Sequence, residues 1–403
     1  MRRIFGKAIL LAAALMFSIA GTSCSSSGDN VNPLPENNGS NGSSGNNGNN
    51  GSSGENPSTP DDTPDNKQDE STFAKGADVS WLTEMEKDGK KFYNANGTEQ
   101  ECLALLKDNG VNSIRLRVWV DPDGGWCGKD DVVAKAERAQ KLGMRIMIDF
   151  HYSDIWADPS RQTVPAAWEN YSFEEMKQAV SDHTKEVLNA LKAKSIDVEW
   201  VQVGNETCDG MLWGKNTGTV NDPKWGGETD NVSGRASKSP KNYAAYELAG
   251  YEAVKAVYPK AKVVVHIDKG QELDRFTWIF NILKNNGGKW DVIGMSLYPE
   301  DQDWKTTTSD CLSNIKTLSS KYNCNVVISE IGMQWNSSSA ATMMKTMVDG
   351  CKAISTCEGI FYWEPEVYNS WKPANYTTLG WDAYTKGAFD NSGKPTAVFD
   401  AYK

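Results

Sequence analysis

Apolar residues beyond residue 72 follow two rhythms. Short continuous runs of Val, Ile, Leu and aromatic residues, bounded by turn formers, alternate with longer stretches in which apolar positions return every three or four residues. The first rhythm is that of a parallel strand buried on both faces, the second that of an amphipathic helix. Strands are expected at residues 76–80, 113–119, 145–150, 199–206, 262–267, 292–298, 325–330 and 359–363. Eight such alternations predict an α/β fold, a single (β/α)8 TIM barrel. The helices carry their own punctuation. Thr98 with Glu101 and Ser172 with Glu175 have capping-box spacing, Asn109-Gly110 and Leu142-Gly143 read as helix ends, and Pro240 suits a first turn. Long polar insertions follow the fourth strand (207–239) and the eighth (364–394), on the face where loop variation shapes a cleft.

Before residue 72 neither rhythm is present. Residues 1–23 place Arg2, Arg3 and Lys7 ahead of an apolar stretch, Ala8 to Ala20, that is too short to span a bilayer as a helix. A signal peptide is expected there. Gly21-Thr22-Ser23-Cys24 resembles a bacterial lipoprotein cleavage site, with Cys24 the lipidated residue. Residues 24–71 are Ser, Gly, Asn, Pro and Asp with almost nothing apolar, so they cannot offset their own ordering entropy and are expected to form a flexible, disordered linker. The catalytic domain would then occupy residues 72–403. The net charge is −11, and −14 once residues 1–23 with their three positive charges are set aside. Such acidity disfavours nucleic acid and anionic membranes and favours a neutral substrate. Seven cysteines follow Cys24 without a CxxC pair, which argues against a zinc ribbon; export permits disulfides, and the odd number leaves at least one thiol free.

Two predicted strands run straight into a glutamate: Trp200-Val201-Gln202-Val203-Gly204-Asn205-Glu206 and Val326-Val327-Ile328-Ser329-Glu330. In a parallel barrel the C-terminal strand ends line the active site. Two carboxylates converging there suit cleavage of a glycosidic bond, one protonated to serve the leaving oxygen, one ionised to attack or to activate water. The other strand ends are also polar or aromatic: Arg117 and Trp119, Asp149 and His151, Asn205, His266 and Asp268, Tyr298, and Trp363 with Glu364. His151 and His266 lack HExxH or other close ligand spacing, so no catalytic metal is expected. No GxSxG elbow surrounds Ser329, and no phosphate-cradling glycine loop is present. Fifteen Trp and fourteen Tyr are many for this length. Trp81, Trp119, Trp126, Trp156, Trp213, Trp363 and Trp371 fall near the expected catalytic face, where aromatic rings could stack on the C–H faces of sugars.

Several of these segments are similar to the endo-β-1,4-galactanases of glycoside hydrolase family 53, clan A retaining hydrolases. They are Arg115-Leu116-Arg117-Val118-Trp119-Val120-Asp121-Pro122, the run from Asp149-Phe150-His151-Tyr152 through Trp156 to Pro159, Gln202-Val203-Gly204-Asn205-Glu206, and Phe361-Tyr362-Trp363-Glu364-Pro365. The resemblance implies Glu206 as proton donor and base and Glu330 as nucleophile, with Arg117 orienting and ionising Glu330. It implies further that Asn205 holds the sugar 2-hydroxyl and Trp363 floors the subsite at the cleaved bond. Trp119, Asp149, His151, Trp156, His266 and Tyr298 would complete the substrate-binding wall. The implied substrate is β-1,4-galactan (type I arabinogalactan), polymeric or oligomeric. Bacterial members can carry a calcium-binding Asp/His/Asn loop after strand seven; here residues 331–339 lack those ligands, so no cofactor is expected for catalysis and the structural calcium site is missing its donors. A monomer is expected, exported and held at the bacterial outer membrane only through its lipid anchor, at the cell surface rather than the periplasmic face. The residues leave two alternatives open: another clan A endo-glycanase of mannanase or cellulase type, or a non-catalytic surface glycan-binding lipoprotein.

Overall fold

The computed structural model describes residues 72–219, 224–226 and 231–403. The expected signal peptide, Cys24 and linker lie outside the described residues. The eight expected strands form as β1 (Ala74–Asp78), β2 (Ser113–Val118), β3 (Arg145–Phe150), β4 (Trp200–Val203), β5 (Lys262–Ile267), β6 (Val292–Leu297), β7 (Asn325–Ile331) and β8 (Cys357–Trp363). All pair in parallel and close into a barrel in the order β1-β8-β7-β6-β5-β4-β3-β2. The helices are α1 (Leu82–Lys87), α2 (Cys102–Asp108), α3 (Lys129–Lys141), α4 (Phe173–Ala193), α5 (Pro240–Val257), α6 (Leu273–Asn285), α7 (Trp304–Tyr322), α8 (Ala340–Lys352) and α9 (Ala374–Leu379).

Strand alternation sorts each strand's residues into two sets. Outward positions such as Ile114, Leu116, Val118, Ile146, Ile148, Val263, Val265 and Ile267 join the apolar layer under the helices. Each fully buried side chain of this kind stabilises the fold by about 1.5–3 kcal/mol. The inward positions begin with a separate apolar cluster of Ala74, Met147, Trp200, Val264, Val292, Val327 and Phe361, which plugs the interior. Two residues further along the same strands the inward set turns polar: Asp149, Gln202 and His266, each fully buried. The barrel therefore has a dry floor and a polar upper storey, and that storey is where the strands end.

Three departures from simple reading matter. The fourth strand stops at Val203 because Gly204 adopts φ +75°, a conformation open to glycine, and a Cβ there would meet Thr207 Cγ2 at 2.6 Å. β6 and β7 pair evenly as far as Met295 and Ile328, then slip so that Ser296 faces Glu330. Strict alternation from inward-facing Val327 would have turned Glu330 out toward the helices, and the bulge brings it inward instead. Finally, Ser172 and Glu175 do form a capping box on α4, but α2 is capped by Glu101 alone, whose side chain accepts from the Ala104 N–H, so Thr98 takes no part. The seven cysteines after Cys24 are all free thiols.

Candidate active site

Glu330 enters the polar storey from β7, 5% exposed. Arg115 Nη1 lies 3.0 Å from its Oε1, and the Tyr298 hydroxyl donates to its Oε2 at 2.7 Å. Arg115 is the hub of this corner. It also reaches Asp78 Oδ2 at 2.6 Å, Asp149 Oδ2 at 2.9 Å, Asn205 Oδ1 at 3.0 Å and Gln202 Oε1 at 3.2 Å. Burial raises the Glu330 pKa to about 7, while Arg115 and the Tyr298 hydrogen bond pull it down.

Glu206 faces this group from just beyond β4, at φ +46°. A non-glycine residue held there costs about 1–3 kcal/mol, and such strain clusters at functional sites. Its Oε1 accepts from the Ser296 hydroxyl at 2.7 Å. Burial, then the nearby charge of Glu330, then Asp268, hold its pKa well above the usual carboxylate range. The two carboxylates thus differ in kind: one leans on a guanidinium, the other on neutral donors.

Asn205 donates one amide hydrogen to the Ala157 carbonyl at 2.8 Å, and its oxygen is taken by Arg115, so its second N–H is the group left for a ligand. His151 accepts at Nδ1 from the Ala157 N–H (3.1 Å) and from the Trp119 indole (3.3 Å), which places its proton on Nε2, 3.0 Å from Asp149. Burial lowers the pKa of both His151 and His266, so both rings are neutral.

The expected contact of Arg117 with Glu330 does not occur. Arg115 and Arg117 share one face of β2, and the lower of the two sits level with Glu330. Arg117 instead donates to Glu364 Oε1 at 3.1 Å, with its guanidinium 4.2 Å from the Trp156 ring centre and 5.0 Å from that of Trp119. Trp119 and Trp156, 3% and 6% exposed, are therefore packed on that cation rather than presented as open platforms. Trp363 is half-buried and better placed, edge-on to Tyr384 at 4.6 Å and to Trp81 at 5.1 Å.

Beneath Arg117 lies a second carboxyl pair. Glu364 accepts from the Trp81 N–H at 3.1 Å as well as from Arg117, whereas Glu366, fully buried, meets no donor. Burial, then the neighbouring charge of Glu364, push the Glu366 pKa well above the usual carboxylate range and keep it neutral. Because its pKa is raised in the fold, Glu366 supports stability below the unfolded carboxylate value of about 4.3, and that support is lost as pH climbs toward the folded value. Glu366→Gln keeps a neutral donor of the same shape. It is expected to match the wild type near pH 4 and to become increasingly the more stable protein toward pH 9, as denaturant melts across that range would record; a pH-independent difference would contradict a protonated Glu366.

Among the described residues no three His, Cys, Asp or Glu side chains converge as metal ligands. The structure brings together Arg117, Trp119, Asp149, His151, Trp156, Asn205, Glu206, His266, Tyr298, Glu330, Trp363 and Glu364, while Arg115, Asp78, Gln202 and Ser296 were not singled out from the sequence. The spacing of Asp78, Arg115 and Gln202 was a usable signal: a charged or amide residue inside a Val/Ile run demands an interior partner.

A family model described as Glycosyl hydrolase family 53 matches residues 74–342. The chain belongs to glycosyl hydrolase family 53. Among curated family relatives, an Endo-beta-1,4-galactanase of Bacillus subtilis is 30% identical over 356 residues, 78% of this chain and 75% of that protein. The Arabinogalactan endo-beta-1,4-galactanase A of Aspergillus niger is 29% identical over 317 residues, 72% of this chain and 84% of that protein. Among solved structures, the Ignisphaera aggregans GH53 catalytic domain superposes with a TM-score of 0.70 at 28% identity, covering 82% of this chain and 96% of that one. Family 53 membership and the closed parallel barrel agree.

Proposed function

We propose that this family 53 chain is an endo-acting hydrolase of β-1,4-galactan that works with retention, Glu330 as nucleophile and Glu206 as acid and then base. The observation that carries the reading is the asymmetry of the two carboxylates. Glu330 is met by a cation and a phenol, which favour the ionised form, whereas Glu206 has no cationic partner among the described residues and its pKa is raised further. A nucleophile needs the first setting and a proton donor the second.

In the first step Glu330 bonds to the anomeric carbon while Glu206 gives its proton to the departing glycosidic oxygen. In the second, Glu206 takes a proton from water, whose oxygen displaces Glu330. The Asn205 amide hydrogen is available to the 2-hydroxyl, and Trp363 offers a half-open ring to a sugar face. The names of the curated relatives support galactan as the substrate; no cofactor enters these steps. Export with a lipid anchor at Cys24, a cell-surface position and a monomeric state belong to the same proposal and rest on sequence alone. Protease shaving of intact cells tests the position: a protein that survives shaving sits on the periplasmic side.

Product analysis with unbranched β-1,4-galactan, and mannan and cellulose in parallel, tests the activity. Short galacto-oligosaccharides released early, with the β-configuration retained at the new reducing end, are the expected result. Cleavage of another glycan would discard the specificity, and binding without cleavage would favour a lectin.

A further inference from the structure

Glu206 has to be protonated when the reaction begins and ionised at its midpoint, and its surroundings favour only the first. It is largely desolvated, and the carboxylates facing it from three other elements all resist its ionisation: Glu330 on β7, Asp268 just past β5 and Asp158 in the loop after β3. Asp268 is itself tied to Arg275 of α6 at 3.2 Å, so that cation is already engaged. No Lys or Arg pairs with Glu206 among the described residues.

One contact acts the other way. Ser296 Oγ lies 2.7 Å from Glu206 Oε1 and 2.8 Å from His266 Nε2. Gln202 Nε2, which can only donate, lies 3.0 Å from His266 Nδ1. Asn205 Oδ1, which can only accept, lies 3.1 Å from the same Nδ1. His266 is fully buried and neutral, held so by burial and by Arg115. The serine hydroxyl thus has two partners, His266 Nε2 and Glu206 Oε1, and the shorter contact is its donation to Glu206. Gln202, His266, Ser296 and Glu206 form one connected hydrogen-bond network, with Ser296 donating at its Glu206 end. Ser296 stands at the point where β6 slips against β7, the kind of bulge that re-aims a side chain beside an active site.

We propose that Ser296 is a positioning residue for the second half of the reaction: by donating to Oε1 it confines the acid proton to Oε2 and stabilises the carboxylate that must draw a proton from water. The inference rests on the role given to Glu206 above. In that half-reaction the water proton goes to Oε2, the water oxygen bonds to the anomeric carbon, and the electron pair of the breaking carbon–oxygen bond returns to Glu330. A hydrogen bond to the charged form lowers a carboxyl pKa, and Ser296 acts in that direction on Glu206 against burial, Glu330 and Asp268.

The experiment compares wild type with Ser296→Ala, Ser296→Cys and Ser296→Thr on 2,4-dinitrophenyl β-galactobioside, whose good leaving group makes the second half-reaction limiting, and on β-1,4-galactan. In the Ala and Cys variants the alkaline limb of kcat/KM is expected to move up by about one pH unit, as loss of one charge-assisted hydrogen bond implies. Turnover of the dinitrophenyl substrate should fall about tenfold near neutral pH. Azide, which needs no general base, should restore it, and Ser296→Thr should keep both wild-type values. The Cys variant keeps the size of the side chain with a weak donor, so it decides the matter where Ala fails to fold. An unmoved alkaline limb, or a fall that azide does not repair, overturns the role of Ser296. A wild type that lacks galactan cleavage, or a Glu206→Ala variant that azide leaves inert, would instead remove the reading of Glu206 on which the inference stands.

Discussion

Glu330→Ala is expected to lower turnover of β-1,4-galactan by about 10⁴-fold or more, because the covalent step loses its nucleophile outright. Glu206→Ala should fall comparably on galactan but far less on the dinitrophenyl galactobioside, whose leaving group needs no proton. Azide separates the two roles by stereochemistry. With Glu206→Ala it intercepts the glycosyl enzyme and gives the β-galactosyl azide; with Glu330→Ala it attacks from the vacated side and gives the α-anomer. The same anomer from both variants, or near-normal galactan turnover in either, would sink the assignment. Both residues are held by packing and hydrogen bonds rather than as structural supports of the barrel, so the variants should fold.

The pH dependence follows from the same pair. In the proposed mechanism the active form has Glu330 ionised and Glu206 protonated, so kcat/KM should be bell-shaped. Burial has brought Glu330 to about 7 in the free protein, which sets the acid limb near neutrality, and Glu206, itself held well above the usual carboxylate range, sets the alkaline limb. The two limbs belong to the interacting pair rather than to isolated residues.

The barrel was legible because period and punctuation agreed: continuous Val/Ile runs cannot be amphipathic helices, and eight of them separated by helical patterns leave little choice of architecture. The ring of strand-end residues was legible for the same reason, since alternation places every second residue inward. What alternation cannot supply is height. Arg115 and Arg117 have the same parity, and only the stagger between β2 and β7 decides that Arg115, the deeper one, meets Glu330. Nor does alternation survive a bulge. Strict parity assigns Ser329 or Glu330 to the interior but not both, and the slip at Ser296 that settles it is a property of two paired strands. The aromatic residues were misjudged through burial: Trp119 and Trp156 read as platforms in sequence, but a cation two strand positions from Arg115 occupies their faces.

Arg115→Met should be the most damaging single substitution to stability in the cleft, at about 3–5 kcal/mol near pH 7, the usual cost of leaving buried charge without its partner. Arg115 is 1% exposed and is the cation shared by Asp78, Asp149 and Glu330. Methionine fills much of the same volume, so the loss is electrostatic rather than a cavity. The sign of its pH dependence is fixed by Asp149. Burial alone would raise that carboxyl, but Arg115, with His151 second, outweighs burial and holds it below its usual value. A carboxylate depressed in the fold contributes stability that is present above the unfolded pKa of about 3.9 and is lost as pH falls through the folded value. The variant lacks that contribution and must also find protons for Glu330, so its deficit should be widest at neutral and alkaline pH and should shrink as the medium approaches pH 4. Urea melts at pH 7.5 and pH 4.5 measure it directly. In kinetics the acid limb should shift upward, since Glu330 loses the guanidinium that favours its ionised form. A deficit below about 1 kcal/mol at pH 7.5, of the order expected for an exposed ion pair, would show that the carboxylates are relieved by solvent instead of by Arg115.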